Sequence, residues 1–86
     1  MTSAEALRLA IAAARVGRLD YTRHARQRMR ERGAREADVE RACVTATSAR
    51  QEPNEVWRLD GGVDCDGDAL TVCVAIAHNV VVVTLF

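Results

Sequence analysis

The chain has 86 residues, 49% of them apolar, and carries twelve Arg with no Lys against twelve acids, so its formal net charge is zero. That is one small domain, residues 1–86, with a modest core, and a single Trp, Tyr and Phe leave Val, Leu, Ile and Ala to fill it and provide no broad aromatic platform for nucleic acid. Three cysteines without a C-x-x-C pair argue against a disulfide framework or a structural zinc, and no apolar run nears the roughly 18 residues of a membrane span.

Taken in chain order, Thr2-Ser3-Ala4-Glu5 fits a capping box, and Leu7, Ile11 and Ala14 recur at helical spacing before Gly17 stops the segment. A first helix over residues 3–16 is expected, followed by a connector over 18–21. Thr22 then caps a second helix that runs to Arg32, with Gly33 as its terminator. The segment 36–45 sets Val39, Ala42 and Cys43 on one side and acids in its first turn, where they match the positive end of the helix dipole. Beyond it the chemistry changes to strands. Residues 45–51 are β-tolerant, Pro53-Asn54 reads as a turn, and 56–59 alternates in character. Asp66-Gly67 is a two-residue hairpin signal between the Val63 region and the run 69–77, and His78-Asn79 turns that run into 80–86. Leu70, Val72, Val74 and Ile76 are expected on one face, with Thr71, Cys73 and Ala75 on a small-residue face open to a helix or a second subunit. The expected architecture is α+β: three N-terminal helices, then an antiparallel sheet of three or four strands with the helices mainly on one face.

The zero net charge conceals a split. Residues 1–50 hold eleven Arg against six acids, and residues 51–86 hold one Arg, Arg58, against six acids. The acidic half can neutralise the basic one, or the basic helix can meet phosphate, RNA or an acidic protein. Within the second helix His24, Arg28 and Arg32 follow at i, i+4 and i+8 and form a row, with Ala25 and Met29 in the neighbouring stripe as the anchor. Two guanidinium forks beside an imidazole are the parts that metal-independent RNA cleavage requires: a base or acid for the proton and cations for the charged phosphorane. Arg58 can point to the same site or pair with an acid such as Asp60 or Asp64. His78, at a turn, is the candidate complementary acid, or simply a solvated residue. Asp60, Asp64, Asp66 and Asp68 lack a downstream Glu to close a calcium loop, and no Gly-rich phosphate loop, nucleophile elbow or H-E-x-x-H occurs. The sequence calls for no cofactor and no metal.

The stretches "TRHARQRMRERGAREADVERA", "WRLDG", "ALTVCVAI" and "VVVVTLF" together resemble a family of small bacterial proteins grouped as a domain of unknown function and similar to RelE-like ribonuclease toxins. The helix motif H-A-x-x-R-M-x-x-R-G is matched by His24, Ala25, Arg28, Met29, Arg32 and Gly33, and the similarity spans 21–86. The resemblance implies a RelE-like α+β fold, membership of toxin–antitoxin operons, a cognate antitoxin as partner and an RNA-cleaving activity. A second reading of the residues is a non-catalytic interaction module, in which the Arg-rich helix docks an acidic partner or the sheet face forms a homodimer. No basic segment with an apolar run and cleavage site opens the chain, so the expected compartment is the cytoplasm, with no membrane partner. Cys43, Cys65 and Cys73 are expected there as buried small hydrophobes in reducing surroundings.

Overall fold

The computed structural model describes residues 1–86. Helix α1 spans Ser3–Arg15 and opens on the expected box: the Thr2 hydroxyl accepts the Glu5 N–H while the Glu5 carboxylate accepts the Thr2 N–H. Its fully buried stripe is Ala6, Ala10 and Ala14, and Leu7 and Ile11 lie only half-buried on its flank. Small side chains let α1 approach α3 and the sheet closely, so the alanines rather than the larger residues take the interior.

The connector expected at 18–21 is instead strand β1, Leu19–Tyr21. Helix α2, Arg23–Arg32, is capped by the Thr22 hydroxyl, which accepts the Ala25 N–H, and it buries Ala25 and Met29. Gly33 ends it in the left-handed conformation (φ 66°), where the Ala34 N–H closes on the Met29 carbonyl. Helix α3, Glu36–Thr45, turns Val39, Ala42 and Cys43 inward.

Four further strands follow: β2 Ser48–Glu52, β3 Val56–Asp60, β4 Val72–Ile76 and β5 Val80–Leu85. The sheet order is β1-β5-β4-β3-β2, with β1 parallel to β5 and the other pairs antiparallel. The sheet is therefore five-stranded and mixed rather than three- or four-stranded and antiparallel. The difference comes from three residues, Leu19, Asp20 and Tyr21, which pair in register with Val80, Val81 and Val82, a match that no local pattern announces.

Asp66-Gly67 does not make a two-residue hairpin. Only the isolated bridge Val63–Ala69 forms, and the Asp64 side chain closes the loop by accepting the N–H groups of Asp66 and Asp68. Gly62 allows this loop to pass against α3, because a Cβ there would collide with the Ala42 carbonyl. Asp38, almost buried, ties the loop down by accepting the Cys65 and Arg35 N–H groups, which hold its carboxyl below the usual carboxylate range. Cys65 itself is exposed, contrary to expectation, because it sits in this surface loop, where its backbone N–H is held by Asp38.

The helices and the side chains of Trp57, Leu59, Val72, Val74, Val82 and Leu85 share one core. That leaves the other sheet face, with Cys73 and Ala75, without a helix; the small-residue face has no covering layer within the chain.

Candidate functional site

In β5 the apolar alternation breaks. Val82 pairs with Val74 and Thr84 with Cys73, so Val83 is an extra residue, a β-bulge. Unbroken alternation would place Val80, Val82, Thr84 and Phe86 on the core face. With the bulge, Val80, Val82 and Leu85 face the core, and Thr84 and Phe86 move to the open face. The energetic reason is plain: Leu85 is fully buried, worth roughly 1.5–3 kcal/mol for its side chain, while a threonine hydroxyl in its place would need a partner.

The bulge completes a row across the open face. Arg50 pairs with Arg58, Arg58 with Cys73, and Cys73 with Thr84. At the end of that row the Thr84 hydroxyl lies 3.1 Å from His24 Nε2. Because β1 stops at Tyr21, the edge of β5 beyond Val82 is left to α2, which seals it with side chains: the Thr22 hydroxyl donates to the Val83 carbonyl and Arg28 Nε to the Leu85 carbonyl at 3.2 Å. Arg32 reaches the Ala69 carbonyl at 3.5 Å. His24 and Arg28 thus line the open edge of β5, and Arg32 continues their row on α2 towards the segment before β4. His24 is exposed and Arg28 half-buried.

Charges in the region are partly answered by acids. Asp60 receives Arg58 Nε at 2.9 Å and Arg50 at 3.5 Å, and its hydrogen bond holds the Arg58 guanidinium still more firmly charged. Arg28 meets Glu31 at 3.2 Å and Arg26 meets Glu36 at 2.8 Å. Arg23, Arg30 and Arg32 make no ion pair. Cys73 lies in the row but is buried, and burial pushes its thiol up; burial pushes Cys43 up to about 12. Neither offers a thiolate nucleophile near neutral pH.

Of the five residues singled out in the sequence, His24, Arg28 and Arg32 follow one another on α2, and Arg58 stands two strands from Thr84, the partner of His24, in the same cross-strand row. His78 lies apart. It sits in the β4–β5 turn, five residues along the strand from Cys73, roughly 17 Å at a strand's rise. Thr84 and Phe86 were not among the five. Their only sequence signal is a hydroxyl in "VVVVTLF" at the parity of Val80 and Val82, which hints that the alternation slips. The Asp64, Asp66 and Asp68 carboxylates lie within 4.8 Å of one another in the β3–β4 loop, while Asp60 belongs to the arginine row instead. No helix is long and apolar enough to cross a membrane.

A family model described as a domain of unknown function (DUF4258) matches residues 21–86. The matched region starts at the end of β1 and takes in every residue of the α2 and sheet rows; α1 lies outside it. No curated protein and no solved structure matches the chain.

Proposed function

Because the chain belongs to the family described as domain of unknown function DUF4258, we propose its role from the chemistry of the site: it binds RNA at the junction of α2 and the open sheet face and cleaves it without a metal, as a toxin-like ribonuclease. The observation that carries this reading is the cross-strand row that has Arg50 and Arg58 towards one end and Thr84, with His24 bonded to it, at the other. Two strand spacings, roughly 10 Å, separate the backbones of Arg58 and Thr84, a span that one phosphodiester and its flanking sugar can bridge over the sheet surface.

In this reading Thr84 accepts the His24 Nε2 proton, which fixes the ring and leaves Nδ1 with its lone pair. Nδ1 takes the proton of a ribose 2′-hydroxyl. The 2′-oxygen bonds to phosphorus, the P–O5′ bond breaks, and the leaving oxygen takes a proton from water. Products are a 2′,3′-cyclic phosphate end and a 5′-hydroxyl end, and the imidazolium returns its proton to solvent. Arg28, Arg32 and Arg58 stabilise the charge that develops on the phosphorane oxygens. Thr84 is a positioning residue, and His78 takes no part. Growth arrest on expression and release of that arrest by a cognate antitoxin are the cellular expectations.

The test is cleavage of end-labelled single-stranded RNA in the presence of a chelator. Wild type is expected to yield cyclic-phosphate ends, with His24→Ala at least ~100-fold slower while remaining folded. Equal cleavage by the variant, or cleavage lost to the chelator, overturns the proposal. A specific observation favours a second reading, the non-catalytic docking of an acidic protein: Arg28, Arg50 and Arg58 already sit against carboxylates, so exchange of those carboxylates for a partner's needs no chemistry. RNA that neither binds nor is cleaved, together with a stable complex with such a protein, decides for it.

A further inference from the structure

We infer that Phe86 is a nucleobase-stacking subsite beside the phosphate-binding row, so that the RNA taken by the site is single-stranded. The inference rests on the RNA reading above but on different atoms. Three large hydrophobic side chains are exposed, Met1, Val16 and Phe86, and the first two flank α1, outside the matched region. Phe86 alone stands on the open sheet face, where the Val83 bulge delivers it together with Thr84.

Its backbone is anchored. Residue 86, directly after β5, exchanges two hydrogen bonds with Thr71, at 2.9 and 2.8 Å, so the ring projects from paired backbone. A ring on anchored backbone binds with less ordering cost than one on an unpaired segment. The Arg58 guanidinium covers one side of it, 5.0 Å from the centroid, and 42% of the residue stays open to solvent. A solvent-exposed ring backed by a cation is a stacking platform that accepts any base, because every base presents a π-face.

The spacing suits a single nucleotide. Phe86 lies two residues from Thr84 on the same strand, roughly 7 Å away, and shares Arg58 with the row that grips phosphate. A base on Phe86 therefore has its own phosphate within reach of Arg58. In a duplex the same base is stacked on its neighbours and unavailable, which is why the subsite selects unpaired RNA.

Fluorescence anisotropy with two labelled strands of equal length, one bearing bases and one fully abasic, tests this with wild type, Phe86→Ala and Phe86→Trp. The alanine variant is expected to bind the base-bearing strand about tenfold more weakly and the abasic strand as well as wild type does. The tryptophan variant is expected to bind like wild type and to lose emission as RNA is added, while Trp57, buried on the opposite face, reports that the fold is intact. Wild-type affinity in the alanine variant overturns the subsite. An equal loss on both strands also overturns it, since the ring then acts only by positioning Arg58. Wild type that binds neither strand overturns the RNA reading and the subsite together, an outcome distinct from both.

Discussion

The two ends of the open sheet face are built from similar residue types and differ in how they are held. At one end His24 meets Thr84 from α2 and β5, Arg58 meets Asp60 within β3, and Phe86 is pinned to Thr71. At the other end the hairpin tips bearing Asn54, Glu55, His78 and Asn79 surround a shallow recess floored by Ala75 and Val81. There the backbone, not the side chains, is specialised: Asn54 and Glu55 adopt φ of 66° and 59° to turn the chain between β2 and β3. Each end carries one of the two histidines. His24 has a hydroxyl partner supplied by a residue 60 positions away, whereas His78 is exposed at a turn. An imidazole becomes chemically useful when distant segments fix its ring, and a turn by itself does not do that.

The largest effect that bears on this contrast should come from the bulge. Exchanging the two residues that the bulge sorts, in the double variant Thr84→Leu with Leu85→Thr, puts a hydroxyl at the fully buried position and a leucine on the open face, and unfolding in urea should show a loss of about 3 kcal/mol or more. A glycine inserted between His78 and Asn79 lengthens the opposite end and should cost less than about 1 kcal/mol. Similar losses for the two changes would mean that the ends are not built differently.

Asp60→Asn leaves Arg50 and Arg58 without their shared carboxylate. RNA affinity should then rise roughly two- to fivefold, and the dependence of log K on log salt should steepen by about one. An unchanged affinity would detach Arg58 from the RNA site. The smallest effect is expected for His78→Gln, with cleavage and binding within about twofold of wild type, as for a solvated surface residue. A large loss there would place the active end of the sheet at the wrong histidine.

Much of the fold was readable from local rules. The Thr2 and Thr22 caps, the Gly33 stop, the three helices and the strand segments in β3, β4 and β5 follow from short-range patterns that tertiary contacts did not overrule. The α2 row was readable for the same reason, since i, i+4 and i+8 coincide on a helix whatever it packs against. The helical spacing of Leu7 and Ile11 marks a stripe without saying how close the neighbouring elements come. At α1 they come close enough that alanines fill the interior. Arg58 was ambiguous between the site and an ion pair to Asp60, and the structure has it making that pair while standing in the row.

The sequence by itself determined the helices, their caps and the alignment of His24, Arg28 and Arg32, because helical geometry is set by hydrogen bonds within four residues. Only the tertiary structure decided that Leu19–Tyr21 joins the sheet, that Val83 is extruded, and that Thr84 and Phe86 meet His24 and Arg58 on one face. Strand register is a competition among pairings far apart in the chain. In a run of four valines many registers look alike locally, so the choice fell to the burial of Leu85 against the rest of the core.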